Sequence, residues 1–193
     1  MKIKGVESIL KSSKTIIVHR GKLHGQWLGD DFAIYPIHNL PELTERHLFA
    51  LFDIPEEKQS KYMYQERGLP KGIDFRDCVE NESVLQRGKI TINAMGRELE
   101  PLFTSKGTVF INTKYLKPFG DEPDGFELYE RISGDGEPYI VAKSGMLIIG
   151  IIMPFRVEGK KFLEELEQLV TGVRKTLENR QAAADQISIE DEA

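Results

Sequence analysis

The residues that could perform chemistry are spread along the chain rather than grouped. The single cysteine, Cys78, could act as a nucleophile, but no histidine that could activate it lies near it in the sequence. The histidines are not spaced as metal ligands on one helix face; they are His19, His24, His38 and His47. Asp30 and Asp31 fit a tight turn, and a two-carboxylate metal site would need further ligands that the sequence does not identify. We therefore expect a protein that is not an enzyme and has no metal and no cofactor.

Composition narrows the class of protein. A chain of 193 residues with 40% hydrophobic residues can bury the core of one compact domain with appendages. A net charge of −5 argues against a protein whose whole surface binds polyanions, although a locally basic face remains open. One cysteine cannot form an intramolecular disulfide, and no apolar segment reaches the roughly 20 residues of a membrane span. We expect a cytoplasmic protein with no membrane contact and no evident small-molecule substrate.

The segment from Tyr139 to Val157 is the most apolar part of the sequence. It predicts two strands around a turn at Ser144 and Gly145. The second strand contains an apolar run, Met146 to Met153, interrupted by Gly150. Because a run of this kind does not alternate with polar residues, it needs cover on both faces of its sheet. We expect this strand to lie inside the molecule.

The order of predicted elements occurs twice. A strand, a helix and three antiparallel strands are predicted near residues 2–37 and again near residues 108–153, although an accidental match is the alternative. Residues 39–105 form an insertion that contains a helix over 39–52 and a long surface connection over 66–88. The predicted fold class is α+β, with a mainly antiparallel sheet built from two βαβββ units and a long C-terminal helix.

The predicted C-terminal helix, over residues 158–182, is amphipathic. Its apolar stripe, which Leu163 and Val170 widen, consists of Phe162, Leu166, Leu169, Val173 and Leu177. Such a stripe could pack on the core of the same chain or drive self-association with a second copy. The acidic tail, residues 183–193, is predicted to be disordered because it is too polar to pack.

The second half of the chain contains the segments VFINTKYLKPF, FELYERISGDGEPYIVAK and MLIIGIIMPFRV, and the last of them ends in Met153-Pro154-Phe155-Arg156-Val157. In these segments the chain resembles the closing half-domain of bacterial DNA sliding clamps, whose terminal motif is of the Met-Pro-Met-Arg-Leu type. GQWLGDDFAIYPI is similar to the family's strand, turn and strand in the first half. The resemblance implies one clamp-like domain over residues 1–157, of a divergent phage or prophage type.

The resemblance also implies two binding sites. In clamps, lysines on the short helices contact DNA phosphates, and the matching positions here are Lys4, Lys11, Lys14, Lys114 and Lys117. The family's peptide pocket lies near its terminal motif, which corresponds to Met153, Pro154, Phe155 and Arg156. The alternatives are that the lysines are ordinary solvated residues, and that Met153 and Phe155 are core residues with Pro154 ending the strand.

Two hypotheses of function follow. The first is a clamp-like binding protein associated with DNA replication, with double-stranded DNA or a replication protein as its partner. The second is a phage-type structural or interaction module that forms a homo-oligomer through its C-terminal helix and does not bind DNA.

Overall fold

The chain divides into two compact units, Met1–Phe155 and Arg156–Ala193. The computed structural model describes residues 2–80, 82–120, 125–156 and 160–190, and it describes side chains as far as residue 181. Met1 therefore lies outside the described residues, as do the segments 121–124, 157–159 and 191–193 and the single position 81.

The first unit begins with a helix. Helix α1 spans Ile3–Ser13 and buries Val6, Ile9 and Leu10, which recur at helical spacing. It ends at Lys14, whose φ of 53° is left-handed. The strand predicted at the start of the first βαβββ unit, near residue 2, is wrong, because the apolar spacing of α1 already starts at Ile3.

Twelve strands form two sheets in the described part of the chain. In chain order the strands are β1 (Thr15–Gly21), β2 (Gly25–Gly29), β3 (Ala33–Ile37), β4 (Met63–Gly68), β5 (Ser83–Val84), β6 (Gln86–Arg87), β7 (Ile92–Ala94), β8 (Arg97–Thr104), β9 (Gly107–Asn112), β10 (Glu127–Ile132), β11 (Pro138–Ser144) and β12 (Leu147–Ile152). The main sheet has the order β4-β1-β2-β3-β12-β11-β10-β5, and the second sheet is built from β6, β7, β8 and β9. Only the pair β1–β4 of the main sheet is parallel among the described strands.

The main sheet joins the two halves of the first unit at its centre. Strands β3 and β12 pair antiparallel, with Ala33 opposite Ile152 and Ile34 opposite Ile151. Each strand of this pair is the last strand of a three-stranded meander, β1-β2-β3 in one half and β10-β11-β12 in the other. Helix α1 precedes the first meander, and a 3-10 helix, Thr113–Phe119, precedes the second. The α+β class with a mainly antiparallel sheet is confirmed. Each half contributes one helix, followed in the chain by three strands of the main sheet.

The main sheet is covered on both faces. One face carries Ile16, Tyr35 and Ile152 in an apolar cluster that also includes residues of α1, of the 3-10 helix and of the insertion. The opposite face carries Trp27, Val141 and Ile151, and Phe75 of the insertion packs there. Burial of Ile148, Ile151 and Ile152 on the two faces of β12 confirms the prediction from its apolar run. Met146 in the turn and Leu147 at the start of the strand are exposed.

The insertion is less helical than the sequence predicted. Helix α2 spans only Glu45–Leu51, and α3 spans Glu56–Gln59. Helix α2 begins late because Thr44 is its N-cap: the Thr44 hydroxyl accepts a hydrogen bond from the backbone N–H of His47. Strand β4 then pairs with β1, where the buried His19 ring donates through Nδ1 to the carbonyl oxygen of Gly68 at 2.9 Å. Burial lowers the pKa of His19, so this side chain is a neutral packing residue.

The predicted surface connection over residues 66–88 is anchored by buried charges. Arg131 of β10 donates to the carbonyl oxygens of Asp74 and Arg76 at 3.1 and 2.8 Å. It also donates through Nε to Glu82 at 2.9 Å, and Lys143 of β11 pairs with the same carboxylate. We call this group of Arg131, Glu82 and Lys143 the buried ion cluster. The connection is therefore fixed to the outer half of the main sheet.

The second unit contains helix α4, which spans Lys160–Glu190. The helix continues past the predicted boundary at residue 182, because Ala182, Ala183 and Ala184 have high helix propensity. In the described part of the chain, no helix combines the length and the apolar character needed to cross a membrane.

Candidate functional site

Helix α1 and the 3-10 helix lie against each other on the same face of the main sheet. The backbone N–H of Lys2 donates to the carbonyl oxygen of Pro118 at 2.6 Å. A Cβ atom at Gly5 would lie 2.7 Å from Cα of Pro118, which is closer than real Cβ atoms come to backbone. The absence of a side chain at Gly5 therefore permits the two helices, one from each half, to touch.

These two neighbouring helices are basic although the chain as a whole is acidic. Residues 2–14 and 113–119 contain six lysines and one acidic residue, Glu7. The lysines are Lys2, Lys4, Lys11, Lys14, Lys114 and Lys117. We call this surface the lysine face. It includes all five lysines that the clamp resemblance predicted, and it adds Lys2.

The lysines of this face differ in their surroundings. Lys11 pairs with Glu7 at 2.6 Å, and the Lys114 ammonium lies 4.6 Å from the centre of the Tyr115 ring. Lys4, Lys14 and Lys117 are exposed, and none of them forms an ion pair with another described residue. A spacing of three residues in a 3-10 helix puts Lys114 and Lys117 on the same side of that helix. The face thus presents several cations to solvent.

A cleft of about 220 Å³ opens beside the lysine face, next to the junction of β3 and β12. Apolar side chains of Phe32, Met153 and Phe155 line it, and Arg97 and Lys114 contribute positive charge. The Arg97 guanidinium lies 5.1 Å from the centre of the Phe155 ring. The cleft is smaller than the usual pocket for a small-molecule ligand, and its size suits one or two side chains of a peptide.

The predicted peptide-binding residues separate in the structure. Met153 and Phe155 line the cleft, and their backbone N–H groups donate to the carbonyl oxygens of Phe32 and Phe110 at 2.7 and 2.6 Å. Pro154 is half-buried between them and does not line the cleft, while Arg156 is exposed and belongs to the second unit. Only two of the four predicted residues are therefore brought together here.

A buried aspartate holds the wall of the cleft in place. The Asp30 carboxylate accepts hydrogen bonds from the backbone N–H groups of Phe32 and Ala33 at 2.9 and 3.0 Å, as expected for a turn. Its other oxygen accepts from the Tyr115 hydroxyl at 3.1 Å. Burial, and then the negative charge of Asp30, raise the pKa of Tyr115, so its hydroxyl remains a donor. Asp30 therefore links the β2–β3 turn to the 3-10 helix of the other half.

Six of the nine residues that line the cleft were not among the predicted binding residues, and they include Arg97, Phe32 and Tyr115. Arg97 follows the turn between β7 and β8, Phe32 lies in the turn before β3, and Tyr115 lies in the 3-10 helix. Their proximity depends on sheet pairing between distant segments. An exposed phenylalanine in a tight turn, Phe32, was the one local signal that could have indicated a binding surface.

No family model, curated protein or solved structure matches this chain. The resemblance to sliding clamps therefore stays a hypothesis from the sequence.

Within the described residues, no group of three or more His, Cys, Asp or Glu side chains is arranged to hold a metal ion.

The predicted self-association residues of α4 have unequal exposure. Leu169, Val173 and Leu177 are exposed, Leu166 is half-buried and Phe162 is buried. The exposed apolar surface also includes Leu163 and Val170, which the sequence prediction treated as widening the stripe.

Proposed function

We propose that the lysine face binds the phosphate backbone of double-stranded DNA, and that the protein is a non-enzymatic, clamp-like, cytoplasmic factor associated with DNA replication. The observation that supports the proposal is the packing of α1 against the 3-10 helix, which joins six lysines into one surface on an acidic protein. The link to replication rests on the clamp resemblance.

The chemistry of the lysine face determines what kind of binding is expected. Lysine ammonium groups are point charges that contact phosphates, and neutralising phosphates releases counterions from the DNA. Contacts of this kind fix the position of a duplex but carry no sequence information. Binding should therefore weaken steeply with salt and be equal for duplexes of different sequence.

The test is a charge reversal at two exposed lysines, one on each helix. Lys4→Glu with Lys117→Glu is expected to weaken binding of a short labelled duplex roughly 10-fold or more at low salt. The slope of log affinity against log salt should fall by roughly 2, about one for each lost phosphate contact. Fluorescence anisotropy over a salt series measures both quantities.

A matched control keeps the net charge change identical. Lys61→Glu with Lys71→Glu reverses two exposed lysines of the insertion and should leave the affinity and the salt slope unchanged. Equal losses in both double variants would show that overall charge, rather than the lysine face, governs binding. The absence of any duplex binding by the unmodified chain at low salt would refute the proposal.

A second candidate function is supported by the cleft. We propose that it holds one apolar side chain of a short acidic peptide, because Phe32, Met153 and Phe155 are apolar and Arg97 and Lys114 supply positive charge. Such a peptide would belong to a protein partner. The replication-protein partner implied by the clamp resemblance fits this class.

The probe for the cleft is a labelled peptide with Leu-Phe between two aspartates, compared with the same peptide carrying Ala-Ala. Phe32→Asp is expected to abolish binding of the first peptide, since it places a like charge beside the aspartates. The control Leu51→Asp alters an equally exposed apolar residue on α2 and should have no effect. Equal binding of both peptides, measured by anisotropy, would contradict the assignment.

A further inference from the structure

Helix α4 carries a continuous apolar seam that its own chain leaves exposed. Leu163, Val170, Val173 and Leu177 each have more than half of their surface exposed, and Leu166 is half-buried. Single exposed leucines are common on proteins, but a continuous row of them marks an interaction surface.

The spacing of the seam is that of a coiled coil. Successive seam residues are separated by three and four positions in alternation, so that Leu163, Val170 and Leu177 take heptad position a, and Leu166 and Val173 take position d. Leu169 takes position g at the edge of the seam, and Phe162, also at g, is already buried. The seam therefore differs from the stripe predicted from the sequence.

We propose that α4 pairs with α4 of a second copy of this chain as an antiparallel two-stranded coiled coil. The charges beside the seam select the second copy and the orientation. Glu167 and Arg174 occupy successive e positions, and in antiparallel pairing the e residues of the two helices face each other.

One antiparallel register satisfies both the apolar layers and the charges. When Val170 of one copy packs against Val173 of the other, Leu166 packs against Leu177. In the same register Glu167 of each copy lies beside Arg174 of the other, which gives two opposite-charge pairs per dimer. At the ends of the seam, Arg180 lies opposite Leu163, where its long stem can pack and its guanidinium can reach water.

The parallel alternative offers no such pairs. In a parallel coiled coil an e residue faces the preceding g residue of the partner. Glu167 would then lie beside Phe162, and Arg174 beside Leu169, so neither charge would gain an opposite charge. Charge complementarity therefore favours two antiparallel copies.

The oligomeric state of the full chain tests the proposal. Sedimentation equilibrium is expected to show a dimer that dissociates on dilution, and Val170→Asp with Val173→Asp should give a monomer at every concentration. Trp27, the single tryptophan, is buried in the first unit, so its unchanged emission would show that the first unit remains folded. A monomeric unmodified chain, or a dimer that survives the double substitution, would overturn the proposal.

The orientation is tested by exchanging the two charges. Glu167→Arg alone, or Arg174→Glu alone, should raise the dimer dissociation constant about 5- to 10-fold, because each creates two like-charge pairs. The double exchange should restore the original constant. Glu178→Arg makes the same charge change at position b, away from the seam, and should have little effect. Failure of the double exchange to restore dimerisation would overturn the antiparallel register.

Discussion

Replacing Arg131 with methionine is expected to lower the free energy of unfolding by about 3–5 kcal/mol. Arg131 is 2% exposed and donates to Glu82 and to the carbonyl oxygens of Asp74, Arg76 and Asp77. Methionine would fill a similar volume but leave these carbonyls without their donor and Glu82 with Lys143 alone. Urea unfolding followed by Trp27 fluorescence measures the loss.

The loss of stability caused by Arg131→Met should depend on which charges remain buried. Burial opposes ionisation of Glu82, but hydrogen bonds from Lys143 and Arg131 outweigh it and lower the pKa of its carboxyl. A carboxyl whose folded pKa lies below its unfolded pKa stabilises the fold above the unfolded value, and this contribution is lost on acidification. Arg131→Met with Glu82→Leu and Lys143→Met should recover part of the lost stability, since no uncompensated charge stays buried. The carbonyl oxygens of Asp74, Arg76 and Asp77 would still lack their donor.

The matched control for Arg131 is an exposed pair of the same segment. Arg76 pairs with Asp74 at 2.5 Å, but the Arg76 side chain is 70% exposed. Arg76→Met should change the stability little, because solvent screens exposed pairs. Equal effects of Arg76→Met and Arg131→Met would show that the buried ion cluster has no special role in the fold.

Gly29→Ala is the second substitution with a large expected effect, about 3 kcal/mol or more of lost stability. A Cβ atom at Gly29 would lie 1.9 Å from the carbonyl oxygen of Ala33 and 2.8 Å from Cα of Ile34. Both are backbone atoms of the β2–β3 hairpin, so no side chain can move aside. The hairpin itself would have to shift, and with it the pairing of Ile34 with Ile151 at the junction of the halves.

Gly68→Ala is the control for this glycine. Gly68 ends β4, and a Cβ atom there would meet no atom within 4 Å. The substitution should change the stability by less than about 0.5 kcal/mol. If thermal unfolding shows Gly29→Ala to be as harmless as Gly68→Ala, the close approach of β2 and β3 is not as tight as the structure has it.

Local patterns predicted the two three-stranded meanders of the main sheet. The apolar run of β12 indicated a buried strand in the right place, because hydrophobic patterns act within a few residues. The parallel pairing of β4 with β1 was not predictable, since the sequence MYQERG has no apolar alternation. The short extent of α2 was missed because the cap at Thr44 outweighed helical spacing that starts earlier.

The candidate site was also predicted only in part from the sequence. The lysines of α1 and the 3-10 helix were named from the clamp resemblance, and local sequence then placed them on two helices. Their meeting depends on contacts between segments more than 100 residues apart, such as that of Gly5 with Pro118. Arg97 and Phe32 reach the cleft only through tertiary packing, for which a single sequence carries no signal.

The outermost strands of the main sheet limit how copies of this chain can join. Strand β4 presents Gln65, Glu66 and Arg67 at one end of the sheet, and β5 is only two residues long at the other. Charged or very short edge strands oppose pairing with a strand from another molecule. Extension of the main sheet from copy to copy is therefore disfavoured, and a ring or filament joined at its two edges would have to be held by side chains.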